Sequence, residues 1–339
     1  MAKTVKYQYP LRSHNTFGLD VKAEQFITYD TVEELVSILA ELRGSGKRML
    51  QIGGGSNLLF TKDFSGVILH SQIKFLEYVS QDSREILVRV GSGVVWDDFC
   101  AEMAQKNYYG CENLSYIPGE VGASAVQNIG AYGVEVESII REVETIEVAT
   151  GKPSVFQAAE CEYGYRDSIF KHRLQGQYIV TAVVFCLSAT PQVHLNYGQL
   201  QELREREKVP TAQEIREAVI AIRKMKLPEP AELGSAGSFF KNPVVPVEKY
   251  QELAAAYKEV PHYVVSPEQI KIPAAWLIEQ CGWKGKSHGG AAVYEKQPLI
   301  IVNQHQATPQ DIMELASLIQ QSVQEKFQIA IQPEVNYIE

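Results

Sequence analysis

Ser238 and Lys241 stand three residues apart in the stretch "GSAGSFFKNP" (234–243), the Ser-x-x-Lys spacing in which a lysine activates a serine for acyl transfer. The same residues also have a structural reading, in which the glycines turn the chain while Phe239 and Phe240 anchor a strand edge in a core. A motif becomes chemistry only when its context agrees. Neither Ser-Asp-Asn nor Lys-Thr-Gly, the companion motifs of acyl-serine enzymes, occurs in the chain, which weakens an acyl-serine transferase built on Ser238 and Lys241.

Two glycine clusters supply a second kind of chemistry. "IGGGSNLLF" (52–60) fails as a Gly-x-Gly-x-x-Gly dinucleotide turn because Leu58 stands where the third glycine belongs. "GWKGKSHGG" (282–290) fails as a phosphate-binding P-loop because Gln280 occupies the place of the first glycine, and it reads as a surface turn. The stretch "YIPGEVGASAVQNIGAYGVEV" (116–136) carries Gly119, Gly122, Gly130 and Gly133 among small residues. Glycine lets main-chain N–H groups approach an anion with no side chain between them. Each cluster alone reads as a tight turn or close backbone packing, whereas the two together suggest one long phosphate-bearing ligand.

The bulk of the chain bounds these readings. Its 339 residues call for two or three domains. The net charge of −9 argues against a nucleic-acid backbone binder. No apolar run approaches the roughly 20 residues of a membrane span, and "MAKTVKYQYP" lacks a signal-peptide core, so a cytoplasmic protein is expected. Cys100, Cys111, Cys161, Cys186 and Cys281 are odd in number and never form Cys-x-x-Cys, and the 7 histidines show no ligand spacing. Neither a disulfide framework nor a metal site is expected.

The elements that must position these residues are legible in part. Thr31 caps a helix with apolar residues at Val32, Leu35, Val36, Leu39 and Leu42, and Gly44 stops it. "RMLQI" reads as a buried strand feeding the first glycine cluster. "GVILH", "EILVRVGSG", "ETIEVATG" and "QYIVTAVVFCL" read as further strands, with a helix around "VWDDFCAEMAQK". Thr211 opens a capping box ahead of "EIREAVIAIRKMK", and the prolines and glycines of "LPEPAELGSAG" then mark a domain boundary. Beyond it come "IPAAWLIEQCG", the strand "PLIIVN", and a helix from Thr308 with Ile312, Leu315, Ile319 and Val323 on one face. The fold class is α+β with many strands.

The motifs "NTFG" (15–18), "GGGSNLLF", "IPGEVGASAVQNIGAYGVE", "YGYRDSIFK", "GSAGSFFKNP" and "QPEV" occur in the order found in the UDP-N-acetylenolpyruvoylglucosamine reductases, and the chain resembles that family nearly end to end. The insert "LNYGQLQELREREKVP" resembles the loop of the family's type I members. The resemblance implies a vanillyl-alcohol-oxidase-type FAD-binding domain over 1–227, made of two α+β subdomains at about 1–75 and 76–227 that include the Tyr197 loop. A smaller α+β substrate-binding domain over 228–328 would follow, with a terminal strand over 329–339 returning to the active site. FAD would be bound and NADPH would be the co-substrate.

The resemblance places the flavin pyrophosphate against Gly53, Gly54, Gly55, Ser56, Asn57 and Leu58. It places the isoalloxazine along Pro118, Gly119, Gly122, Ala123, Gln127, Asn128, Gly130, Ala131, Tyr132 and Gly133. Ser238 would donate a proton, Arg166 and Glu334 would stabilise developing charge, and Tyr165, Tyr197, Lys226 and Asn242 would contact the UDP-sugar. Read alone, Arg166 beside Asp167 is a surface ion pair, Glu334 a solvated carboxylate, and Tyr197, Lys226 and Asn242 ordinary exposed loop and helix-end residues. The partner is a small UDP-sugar, with no nucleic acid or membrane, and the protein is expected as a monomer or weak oligomer. Two flavin alternatives stay open: an FAD oxidoreductase of the same fold acting on an alcohol or hydroxy acid, and a noncatalytic flavin-binding protein.

Overall fold

Local capping signals become helices where the sequence places them. In a computed structural model describing residues 3–196, 198–205 and 207–339, the Thr31 side chain accepts the Glu34 N–H at the start of the helix Val32–Leu42. Thr211 and Glu214 exchange hydrogen bonds ahead of the helix Ala212–Lys226, and Thr308 and Asp311 do the same ahead of Pro309–Phe327. Each exchange satisfies N–H groups that a helix start leaves without partners.

The chain gathers into two units. The first comprises Met1–Tyr9, Ala23–Gly54 and Ser65–Met225; the second comprises Pro10–Lys22, Gly55–Phe64 and Lys226–Glu339. Pro10–Lys22 and Gly55–Phe64, expected in the first domain, thus pack with the second unit.

In the first unit a four-stranded sheet runs in the order Thr4–Pro10, Lys22–Tyr29, Phe64–Ser71, Met49–Ile52. Met49–Ile52 pairs parallel to Phe64–Ser71 at the sheet edge and is largely half-buried, not the buried strand its apolar run suggested. Leu35, Ile38 and Leu39 of the helix Val32–Leu42 pack with Ile27, Tyr29, Val67 and Leu69. A five-stranded antiparallel sheet follows, ordered Pro153–Gln157, Ile140–Glu147, Tyr178–Ser188, Glu85–Gly91, Leu76–Gln81. Tyr178–Ser188 lies at its centre and is buried along nearly its whole length, as its continuous apolar run requires. Phe185 from that strand stacks on Phe99 of the helix Trp96–Gln105 at 4.8 Å between ring centroids.

The second unit has a four-stranded sheet ordered Gly234–Ser238, Ile300–Asn303, Ala291–Val293, Ser287–His288. The helix Pro309–Phe327 buries Ile312, Leu315, Ile319 and Val323, the face its periodicity marked. A three-stranded sheet of Val244–Pro246, Gln269–Lys271 and Tyr263–Ser266 lies in the same unit. The last strand, Asn336–Ile338, pairs parallel to Leu58–Phe60. All five cysteines are free thiols. Among the described residues no helix is long and apolar enough to cross a membrane, and no cluster of three potential metal ligands occurs.

Candidate active site

In the second unit Asn15, buried at 4 % exposure, builds the "NTFG" turn. Its amide nitrogen donates to Leu11 O and Leu19 O, and its oxygen accepts the Leu19 N–H. The turn carries Thr16, whose N–H donates to Gly55 O at 3.3 Å and whose carbonyl accepts the Ser235 N–H at 2.9 Å. Three segments far apart in sequence, the first glycine cluster, the "NTFG" turn and the serine strand, are therefore hydrogen-bonded in series. That series is the physical reason Pro10–Lys22 and Gly55–Phe64 belong with the second unit. Two glycines permit the approach: a Cβ on Gly55 would sit 2.0 Å from His14 O, and one on Gly234 would sit 2.3 Å from Phe17 O.

Ser238 ends the strand Gly234–Ser238, where a register shift between Ser235 and Ser238 bulges the ladder with Ile300–Asn303. Gly237, at φ +68°, takes the left-handed conformation inside that bulge. Ser238 is half-buried, while Phe239 and Phe240, which follow it, are fully buried. The anchoring role of the two phenylalanines holds, but the segment is a bulged strand and not a turn. Ser238 and Lys241 are not joined by a hydrogen bond among the described residues. In extended chain, positions i and i+3 face opposite sides, whereas the acyl-serine pairing needs both on one helix face.

Phe240 bridges Pro333, Glu334 N donates to Phe239 O at 2.8 Å, and Lys241 N donates to Gln332 O. The half-buried Glu334 is thereby fixed beside the residue that follows Ser238. Its carbonyl accepts the Asn57 side-chain amide at 3.2 Å, and Asn57 O accepts the Asn336 N–H. Asn242 is tied inside the same unit, its side-chain oxygen accepting the Ala274 N–H at the start of the helix Ala274–Gln280. Lys226 is exposed at its helix end. Tyr197 lies outside the described residues.

In the first unit the two glycine clusters meet. A Cβ on Gly54 would lie 3.3 Å from Gly119 Cα, and one on Gly53 would lie 3.2 Å from Ala123 Cβ. Gly122, at the start of the short helix Val121–Gln127, backs onto Ser92, which would be 2.8 Å from an added Cβ. Asn128 ends that helix at φ +49° and is fully buried. Its amide donates to Gly164 O and Glu135 Oε2, and its oxygen accepts the Glu137 N–H. The Asn128 side chain therefore latches the loop from inside the protein.

Arg166 sits in the turn closed by the reciprocal Gly164–Asp167 backbone pair, at φ +55°. Its guanidinium donates to Gly130 O at 2.5 Å and lies 3.7 Å from Glu135, so the ion pair is with Glu135 and not Asp167. A Cβ at 130 would lie 2.9 Å from the Val134 carbonyl oxygen and 2.7 Å from Arg166 Nη1, so a side chain there would press on backbone as well as on the guanidinium. Tyr165 lies under the same guanidinium, 5.1 Å from ring centroid to Cζ.

Three contributors are not visible from sequence. Thr16, the link between Gly55 and Ser235, carries no chemical signal beyond its place in "NTFG". Glu120 Oε1 accepts a hydrogen bond from His70 Nε2 at 2.8 Å beside Gly53, and only proximity in space pairs them. Lys171 stands at the end of "YGYRDSIFK", where its charge is the available signal, and it reaches both Gln127 and Arg166 O.

A family model described as "FAD binding domain" matches residues 23–156, and one described as "UDP-N-acetylenolpyruvoylglucosamine reductase, C-terminal domain" matches residues 229–338. UDP-N-acetylenolpyruvoylglucosamine reductase from Bacteroides fragilis strain YCH46 is 50% identical over 339 residues, covering 98% of this chain and 100% of that protein. The Porphyromonas gingivalis strain W83 protein of the same name is 45% identical over 335 residues, covering 98% and 99%. The crystal structure of the Thermus caldophilus reductase shares the fold with a TM-score of 0.67 at 24% identity, covering 100% of both chains. The expected α+β fold, an FAD-binding domain followed by a reductase C-terminal domain, is the one found. By identity sustained over nearly its whole length, the chain belongs to the UDP-N-acetylenolpyruvoylglucosamine reductase family.

Proposed function

We infer that the protein is an FAD-dependent UDP-N-acetylmuramate dehydrogenase, which uses NADPH to reduce the enolpyruvyl ether of UDP-N-acetylglucosamine during peptidoglycan synthesis. The observation that carries this reading is the meeting of the two glycine clusters at Gly54 and Gly119, in a chain of this family. Backbone at that approach bears no side chains, which suits a pyrophosphate held by main-chain N–H groups. Thr16 Oγ1 is buried without a hydrogen-bond partner among the described residues, beside the Gly55 end of the loop, the kind of hydroxyl a ligand oxygen would satisfy. The residues present therefore fit FAD: Gly53–Leu58 would hold its phosphates and Pro118–Gly133 its ring.

The bound flavin supplies the hydride chemistry, and the protein's own groups bind, orient and move a proton. Ser238 Oγ delivers the proton to the carbon that carries the substrate carboxylate, the atom where negative charge develops. The Gly237 bulge aims that hydroxyl and buried Phe239 fixes its backbone. Arg166 and Glu334 steady the developing charge, and their backbone ties hold them in place before reaction, which makes such stabilisation effective. Lys226, Asn242, Tyr165 and Tyr197 hold the UDP-sugar. The protein acts in the cytoplasm as a monomer or weak oligomer, without nucleic-acid or membrane partners.

The purified protein should carry flavin absorbance that bleaches with NADPH alone and returns anaerobically on adding UDP-N-acetylglucosamine enolpyruvate. Reoxidation only by simple alcohols or hydroxy acids would transfer the protein to a sister oxidoreductase activity, and failure to take up FAD would end the reading.

A further inference from the structure

Lys171 Nζ lies 2.7 Å from Gln127 Oε1 and 2.9 Å from the carbonyl oxygen of Arg166. One half-buried ammonium thus binds the side chain of a residue expected at the flavin ring and the backbone of a residue expected at the reacting carbons. The platform beneath it is rigid. Lys171 ends the 3-10 turn Ile169–Lys171, whose Ile169 and Phe170 are buried at 2 % and 6 % exposure. The Ser168 hydroxyl is fully buried and donates to Val126 O at 2.6 Å, one residue before Gln127.

Two consequences follow from elementary chemistry. An ammonium only donates, so it must take the oxygen of the Gln127 amide and leave Nε2 as what Gln127 presents elsewhere. A carboxamide that could otherwise flip is held as a donor. The second concerns Arg166, whose φ of +55° is a conformation that costs a non-glycine residue about 1 kcal/mol or more. A charged donor on its carbonyl offsets that cost and keeps the guanidinium on Gly130 O.

We propose that Lys171 is a positioning residue that sets Gln127 as a hydrogen-bond donor toward the flavin and holds Arg166 in its left-handed turn. The proposal rests on the FAD-dependent reading above. A donor favours the more electron-rich, reduced flavin, so Lys171 acts on the cofactor's midpoint potential through Gln127 and on reoxidation through Arg166.

The test uses Lys171→Met, Lys171→Arg and Arg166→Ala, with wild type measured alongside. Lys171→Met should lower the midpoint potential of the bound flavin, slow substrate-driven reoxidation by about 10- to 100-fold, and speed amide exchange at Tyr165–Asp167 in the apoprotein. Lys171→Arg, which can still donate to both oxygens, should restore most of each. In the Arg166→Ala background, Lys171→Met should slow reoxidation no further while still lowering the potential, because contacts in series do not add. Wild-type potential and exchange in Lys171→Met, or an arginine variant no better than the methionine one, overturns the proposal. A wild type that takes up no FAD would instead remove the reading beneath it.

Discussion

The side-chain amide of Asn57 donates to the main-chain oxygen of Glu334, 277 positions later in the sequence, at 3.2 Å. It joins the end of the glycine cluster to the segment that also pairs with Phe239, so a candidate flavin loop and two candidate catalytic residues share one hydrogen-bonded frame.

That frame predicts a split between side chain and backbone. Glu334→Gln keeps every backbone tie, so flavin content and unfolding temperature should stay near wild type while reoxidation by the enolpyruvyl substrate falls at least about 10-fold, the carboxylate acting as charge develops. Asn57→Ala removes one tie worth about 1 kcal/mol and should lower both unfolding temperature and FAD affinity. Wild-type reoxidation in Glu334→Gln, read by stopped-flow absorbance, would show that the carboxylate is misassigned.

The glycines differ in what they tolerate. Gly55 is at φ +65° with His14 O 2.0 Å from any added Cβ, whereas Gly133 is at φ +81° with nothing within 4 Å. Gly133→Ala should cost the folded chain only the backbone strain, about 1 kcal/mol, and should leave a folded protein. Gly55→Ala must also push the "NTFG" turn away, so a loss of at least about 3 kcal/mol or an insoluble product is expected. Equal unfolding temperatures for the two variants would contradict the close approach of Gly55 to His14.

A buried carboxyl sets a pH dependence. Burial pushes the Glu112 carboxyl above the usual glutamate range despite its acceptance of the Gly110 N–H at 2.5 Å. The folded state then holds the proton more tightly than the unfolded one, so this group's contribution is intact at acid pH and is lost as pH rises from about 4.3 through the raised folded value. Glu112→Gln cannot titrate. The unfolding temperature of the variant minus that of wild type should therefore increase between pH 4 and pH 7, and a difference that stays flat or shrinks counts against the assignment.

What is legible in the sequence is local. The caps at Thr31, Thr211 and Thr308 and the apolar face of Pro309–Phe327 depend on neighbours within one or two turns, and each appears where expected. What stays hidden depends on contacts across the chain. "NTFG" is recognisable as a motif, yet its work, Thr16 joining Gly55 to Ser235, needs partners in three separate segments. Met49–Ile52 is as apolar as a central strand, and composition does not say that, among the described residues, no further strand pairs beyond it. Lys171 sits in "YGYRDSIFK" with no role visible there, because the oxygen it fixes belongs to Gln127, 44 residues upstream.

The stretch that carries Ser238 poses the sharpest question, whether its hydroxyl attacks or donates. The strand Gly234–Ser238 is bulged at Gly237, Phe240 bridges Pro333, and among the described residues no hydrogen bond joins Ser238 to Lys241, so nothing couples the lysine to the serine as its base. Flavin reduction by NADPH needs no proton from serine, and Ser238→Ala should bleach at close to the wild-type rate. Reoxidation by the enolpyruvyl substrate should slow by roughly 10²- to 10⁴-fold, the usual contribution of a positioned general acid. Ser238→Cys should retain more, since a thiol still delivers a proton, and Lys241→Ala should be milder than Ser238→Ala. A nucleophilic serine would behave otherwise: it would leave a covalent adduct, and losing Lys241 would be as damaging as losing Ser238. Rapid mixing of reduced Ser238→Ala with substrate, together with the intact mass of wild type stalled in turnover, separates the two roles. Undiminished reoxidation in the variant, or a substrate-sized mass increase on wild type, would overturn the proton-donor assignment.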